Sequence, residues 1–196
     1  MTTRSRDSTG QIPREGGATY ALSHRLFRMA WGLTWIVLAS WTPPPMVAWR
    51  RLLLKVFGAR ISSTAVIYGS ARIWYPPNLS MGDYACIGPG ANIYAMAPIS
   101  LGHHALISQG AHLCAGTHDI DDPAFPLRTQ PIIIGAEAWV AAEAFVGPGV
   151  TLGEGAVLGA RGVTMKDLAP WTVHAGNPSR QLRERRQSLL QVTPTP

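Results

Sequence analysis

One side chain in this sequence has the type and the position to take a proton. His118 stands directly before the longest interruption of an otherwise regular chain. An imidazole titrates near neutrality, which suits a general base acting on a hydroxyl. Two readings of His118 are open, a base or an exposed histidine without a role. Asp119 also has two readings. It accepts from the second imidazole nitrogen and orients the ring, as the carboxylate of a triad does, or it serves the loop turn. Cys114 precedes His118 by four residues. The reading places it at an interior-side slot, which disfavours a covalent cysteine intermediate. Lys166, Arg180 and Arg161 are the remaining candidates. Each alone reads as a solvated surface charge, whereas clustered beside Ala175-Gly176-Asn177-Pro178 they form a cationic group suited to an anion.

These residues hang on a period of six. An aliphatic residue recurs at Ile61, Ile67 and Ile73, at Met81, Ile87 and Ile93, and at Leu101, Ile107 and Leu113. After a gap it resumes at Ile134, Val140, Val146, Leu152 and Leu158, and a small residue follows most of these four positions later. Such a period is neither helical nor alternating, and it marks hexapeptide β-helix solenoids, in which three hexapeptides close one triangular coil. Five eighteen-residue coils are predicted, at 61–78, 81–98, 101–118, 134–151 and 152–169. Interruptions at 79–80, 99–100 and 119–133 fall only between coils, so all leave the prism at one corner, and such loops often build the binding face. The fold class is an all-β solenoid of about five coils. The division predicted is a disordered tail at 1–23, a helical cap at 24–60, the β-helix at 61–169 with its loop at 119–133, and a C-terminal turn, short helix (about 179–191) and tail at 170–196.

The same parse tests a metal reading of His103, His104, His112 and His118. His112 and His118 take equivalent slots on successive faces of one coil, a third of a turn apart. They cannot share an ion within one chain, and a catalytic zinc wants three protein ligands, so no metal is expected. Trp139 takes an outward slot, where it packs on a neighbouring subunit or walls a cleft.

Charge is unevenly spread. Of 17 Lys and Arg and 11 Asp and Glu, residues 1–60 hold nine and two, 61–160 two and seven, and 161–196 six and two. Basic ends suit nucleic acid, a phosphorylated ligand or an anionic membrane. No nucleic-acid module is present, so no nucleic-acid partner is expected. Cys86 and Cys114 lack a paired spacing and read as free thiols in a reducing compartment. Between Arg28 and Arg50 lie 21 uncharged residues, including Trp31, Trp35, Trp41 and Trp49, broken by Pro43-Pro44-Pro45. Two helices are predicted there, over roughly 24–41 and 46–57. They either cap the solenoid only or also rest on the inner membrane surface, a peripheral contact through 24–57 with its Trp residues at headgroup level.

The hexapeptide array, the Thr117-His118-Asp119 segment opening the loop, and the closing Lys166-Asp167…Ala175-Gly176-Asn177-Pro178-Ser179-Arg180 segment resemble the left-handed β-helix acyltransferases, and among them the colanic-acid biosynthesis acetyltransferases. The resemblance covers about 25–180. It implies left-handed coils, an exception to the usual crossover hand, and a homotrimer with active sites between subunits. It implies a cytoplasmic O-acetyltransferase that moves acetyl from acetyl-CoA to a saccharide hydroxyl in exopolysaccharide or lipopolysaccharide biosynthesis. His118 would then be the base with Asp119 beside it. Trp139, Ala141, Ala142, Gly159 and Ala160 would line the coenzyme groove, and Lys166 and Arg180 would hold its phosphates. Asn92, Tyr94, Asp121 and Arg128 are the acceptor candidates, with Phe125 or Trp74 stacking on a sugar ring. Met96 stands approximately where galactoside-type relatives place a sugar-binding acid, a departure from their pattern. Two other readings compete: a serine or amino-sugar N-acyltransferase on the same scaffold, and a non-catalytic trimeric solenoid.

Overall fold

Aliphatic residues six apart fill one interior because each coil turns the chain through a full triangle between successive copies of a slot. The structure, a computed structural model, describes residues 19–186. Its first coil carries β1 (Arg60–Ile61), β2 (Val66–Ile67) and β3 (Arg72–Ile73). The second carries β4 (Leu79–Met81), β5 (Cys86–Ile87) and β6 (Asn92–Tyr94), and the third β7 (Ile99–Leu101), β8 (Leu106–Ile107) and β9 (His112–Cys114). A hairpin follows, β10 (Gly116–His118) and β11 (Leu127–Thr129). The fourth coil has β12 (Ile132–Ile134), β13 (Trp139–Val140) and β14 (Phe145–Val146), and the fifth β15 (Thr151–Leu152), β16 (Val157–Leu158) and β17 (Val163–Thr164). The chain closes with β18 (Thr172–Ala175) and β19 (Arg180–Glu184).

Corresponding strands pair in parallel and make three faces, β1-β4-β7-β12-β15, β2-β5-β8-β13-β16-β18 and β3-β6-β9-β14-β17. Register preserves the repeat: Ile61 lies opposite Met81, Met81 opposite Leu101, Leu101 opposite Ile134, and Ile134 opposite Leu152. These ladders and the alanines at the turns, among them Ala65, Ala85, Ala105, Ala138 and Ala156, are buried. Only a small corner residue admits the backbone of the next coil. At Gly135, for example, a Cβ would meet the Glu154 nitrogen at 2.7 Å.

A partial sixth coil extends the five expected. Leu168 bridges to Leu152, and β18 continues the second face. The period conceals it because His174 takes the slot opposite Leu158, and because Leu168 follows by only four residues Thr164, itself the polar member of the fifth coil. The Thr164 hydroxyl is satisfied inside the chain by donating to the Lys166 carbonyl at 2.7 Å.

Helix α1 (Leu22–Leu38) and helix α2 (Val47–Val56) cover the first coil. α1 buries Trp31 and Trp35, whose indoles donate to Ile73 O (2.7 Å) and to Gly69 O and Ala71 O (3.1 and 3.0 Å). The outermost coil has no earlier strand to accept from, so these donors serve carbonyls that would otherwise be orphaned. Arg50 belongs to the same device. It is 1 % exposed, and it donates to Ile67 O, Thr42 Oγ1, Pro43 O and Pro44 O. Burial lowers its pKa.

The C-terminal helix expected over 179–191 is replaced over Arg180–Glu184 by β19, antiparallel to β18. A basic run carries no periodic apolar face to pack as a helix, whereas the outer edge of β18 offers a ready ladder of backbone partners. The rest of that segment and of the tail, 187–196, lies outside the described residues, as do residues 1–18 of the expected N-terminal tail.

Candidate active site

The turn from the third face to the first carries every interruption. Here lie the short 3₁₀ turn Pro76–Asn78, the linker 95–98, the hairpin, and the segment 165–167. The hairpin leaves earlier than the sequence suggests. Gln130 N bonds Ala115 O at 3.0 Å, and Gly116, Thr117 and His118 pair with Thr129, Arg128 and Leu127. His118 is therefore on an arm of the hairpin and not on a coil slot equivalent to that of His112. The extended run Leu127–Thr129 after the Asp122 turn supplies the pairing partner that draws these residues out. Gly116, at the root, lies against Met96, and a Cβ there would run into the Met96 sulfur. Met96 thus packs under the arm.

The imidazole of His118 is exposed and fixed by one hydrogen bond, Nδ1 to the Phe125 carbonyl at 3.0 Å. A carbonyl only accepts, so Nδ1 carries the proton and Nε2 of the neutral ring keeps its lone pair facing outward. The Phe125 ring stacks on the imidazole at 4.5 Å and 10°. One face of the phenyl ring is thereby taken up by the histidine. Phe125 has φ +50°, a strained value for a bulky residue that belongs to the turn aiming its carbonyl at His118.

Asp119 does not make the bond expected to His118. Its carboxylate accepts from Arg128 at 2.7 Å and from the Asp121 backbone at 3.3 Å. The Arg128 hydrogen bond, foremost, holds the Asp119 carboxyl below its ordinary value. Arg128 reaches it because it lies opposite Thr117 across the two-strand ladder. Asp119 and Arg128 are therefore a clasp of the hairpin, and the Phe125 carbonyl takes the orienting role. That carbonyl was not legible in the sequence, because a backbone acceptor has no residue signature.

The other candidates fall into separate groups. Lys166 and Arg180 line one cleft of about 450 Å³ with His174, Asn177, Ser179 and Gln181. His174, which sequence reading missed, contacts the Thr172 hydroxyl at 3.0 Å, and burial lowers its pKa. Arg161 is outside this group and pairs with Glu143 at 2.6 Å. Ala141, Ala142, Gly159 and Ala160 form the turn from the second face to the third, with Ala142 O accepting from Arg161 N at 2.8 Å. Trp139, on the second face, is 41 % exposed and donates to Ser108 Oγ at 2.8 Å. The hairpin's corner is opposite that face, so one chain does not bring His118 and Trp139 together. Asn92 and Tyr94 lie on the third face. Asn92 Nδ2 meets His112 Nε2 at 3.2 Å, and Tyr94 packs edge-on against Trp74. Asp121 is exposed near the hairpin tip. Cys114 is half-buried with its sulfur on the Gly116 carbonyl, on the outward side of β9 and not the interior side. Among the described residues, no three His, Cys, Asp or Glu side chains gather to hold a metal.

No protein-family model matches the chain. It is 41% identical over 156 residues to a protein of Escherichia coli K12 that bears the provisional name colanic acid biosynthesis acetyltransferase WcaF, covering 78% of this chain and 86% of the relative. The same values hold for the protein of that name from Shigella flexneri. Among solved structures it is similar to a galactoside acetyltransferase in complex with coenzyme A, at TM-score 0.75 and 24% identity over 92% of each chain. It is also similar to a hexapeptide-repeat acetyltransferase from Vibrio cholerae O1 biovar eltor complexed with acetyl coenzyme A (TM-score 0.75, 22% identity, 87% of this chain and 93% of that one). A maltose O-acetyltransferase from Clostridium difficile 630 gives TM-score 0.74 and 21% identity over 85% and 90%.

Proposed function

The chain belongs to the family of the colanic acid biosynthesis acetyltransferases, hexapeptide-repeat acyltransferases of the β-helix kind, and on that premise we propose that it moves acetyl from acetyl-CoA to a hydroxyl of an exopolysaccharide saccharide, with His118 as the base. One observation carries the assignment of the base: His118 Nδ1 is held by the Phe125 carbonyl, which leaves Nε2 free and exposed on the arm. Nε2 takes the acceptor's hydroxyl proton as the oxygen attacks the thioester carbonyl. The tetrahedral oxyanion then collapses, the C–S bond breaks, and the imidazolium returns its proton to the departing thiolate. The products are an O-acetyl ester and free coenzyme A. Asp119 and Arg128 keep the hairpin in shape, and Lys166 and Arg180 draw the coenzyme phosphates into their cleft.

We infer a homotrimer. The outward row of the second face is Val66, Cys86, Leu106, Trp139, Val157 and Val173 in register, an apolar strip suited to a subunit contact. In such an assembly Trp139 of one copy reaches the cleft beside a neighbour's hairpin. The small-residue turn 141–142 and 159–160 would accommodate the thin pantetheine arm there, while Asn92, Tyr94 and Asp121 remain acceptor candidates. We also infer a peripheral contact of residues 24–57 with the inner membrane surface. Among the described residues, no helix is long and apolar enough to cross a membrane.

Release of free thiol from acetyl-CoA, measured with a panel of saccharide acceptors, tests the activity. His118→Ala should fold as the wild type and bind acetyl-CoA, with turnover lower by about 10²–10⁴. Near wild-type turnover in that variant would remove the base assignment.

A further inference from the structure

Helix α1 is apolar on two sides. Its inner side buries Trp31 and Trp35. On the outer side Leu22, Leu26, Met29, Leu33 and Ile36 recur at spacings of four and three, one continuous helical stripe. Every one of them is at least half exposed, Ile36 at 66 %. An exposed, uninterrupted apolar patch of this kind marks an interaction surface. We propose that this outer stripe of α1, together with the exposed Trp41 and the exposed Leu52 and Val56 of α2, is the docking face for an anionic lipid surface. The proposal deepens the peripheral contact inferred above and rests on it.

Three further observations choose the lipid. No Asp or Glu occurs from residue 19 to residue 82, whereas seven Lys and Arg do. Arg25 on α1 and Lys55 on α2 are exposed, so each helix carries a cation among its exposed apolar residues. A second copy docked through the same patch would set cations against cations in an isologous contact, whereas anionic headgroups would attract them.

The tryptophans at the end of α1 fit the same occupant. The indoles of Trp41 and Trp49 donate to Val37 O and Leu38 O, both at 2.7 Å, and so serve two of the helix's last carbonyls. With their N–H groups satisfied internally, these rings offer apolar surface at the interface.

The stripe is about 21 Å long at 1.5 Å per residue. That is short of the roughly 30 Å hydrocarbon core, so the helix lies in the plane of the surface and does not cross it. Docking would hold the enzyme alongside acceptors anchored in the same surface.

Co-sedimentation of the full chain with phosphatidylglycerol and phosphatidylcholine vesicles, at low and moderate salt, tests the proposal. Preferential binding to phosphatidylglycerol, weakened by salt, is expected. A combined Leu33→Asn and Ile36→Asn variant should lose vesicle binding while keeping acetyl-CoA affinity and sedimentation behaviour in the absence of lipid. Arg25→Gln with Lys55→Gln should reduce partitioning about thirtyfold. Equal affinity for both lipids, or binding to neither, overturns the proposal. A changed oligomeric state in the Asn variant assigns the stripe to a second copy and also overturns it. Acetyl transfer to a soluble acceptor is measured separately, so failure of the enzymatic reading is distinguishable from failure of docking.

Discussion

The coil stack and the hairpin are held together by different physics. In the stack each side chain repeats a neighbour's role, and Ile107 packs fully buried between Ile87 and Val140 of adjacent coils. In the hairpin each contact occurs once: one carbonyl fixes His118, one arginine clasps Asp119, and one methionine supports the root. Stability is thus distributed along the stack, while the geometry of the candidate site is concentrated in a few bonds on an exposed arm. Damage to one region should spare the measurements that report on the other.

The sharpest way to break that separation is a cavity. Ile107→Ala should cost about 2–5 kcal/mol of stability, since a buried large-to-small change loses transfer energy and leaves a void. The denaturant midpoint reads that loss, and turnover at temperatures where the variant stays folded should be close to the wild type's. A large loss of turnover in the folded variant would show that the stack and the arm are coupled.

Arg128→Ala makes the converse comparison, with a smaller effect. The denaturant midpoint should hardly move. Amide exchange should rise in residues 116–129 alone, and turnover should fall by less than in His118→Ala. Unchanged exchange across the hairpin would mean that the pairing of Gly116–His118 with Leu127–Thr129 holds the arm without the clasp.

Acid gives the smallest and most selective effect. Burial lowers the pKa of His112 below 6.5, with His24 and His174 shifted the same way. The unfolded chain therefore binds protons more readily, and the stability these groups contribute is complete above about 6.5 and declines as pH falls toward their lowered values. The Asp119 carboxyl is depressed below 3.8, so its clasp persists until pH falls through that lower value. Acidification from pH 7.5 to 5 should lower the denaturant midpoint, and less so in His112→Gln, without releasing the hairpin. An unchanged midpoint would show that burial of these imidazoles costs the fold nothing on protonation.

The same contrast explains what the sequence could tell. A ladder in which Ile61, Met81, Leu101, Ile134 and Leu152 do one job is redundant, and redundancy makes a period visible. The partial sixth coil was hidden by His174 in the slot opposite Leu158 and by the short step from Thr164 to Leu168. His118 stood out by type and by place, whereas its true orienting partner is the main chain of Phe125 and leaves no trace in composition. Of the two readings open for Asp119, the bond to Arg128 favours the loop role, and that partner stands nine residues away, where no local pattern points to it. The burial of Arg50 has no local signal, since nothing near it in sequence reveals that Ile67 O, Thr42, Pro43 and Pro44 converge around it. The strand at Arg180–Glu184 depends on an edge that exists only once the coils are stacked.

That last strand has a consequence for the chain's behaviour in a crowded cell. A stack of parallel coils is a template, and its final rung could accept a first coil from another molecule and grow into a filament. Antiparallel β19 occupies the β18 edge in the wrong polarity for such growth. Arg185 ties the strand's exit down by donating to Glu137 O at 2.8 Å and Gly155 O at 3.0 Å. At the other end Trp31, Trp35 and Arg50 consume the carbonyls of the first coil. With both ends terminated by groups that cannot propagate the repeat, the solenoid has a fixed length.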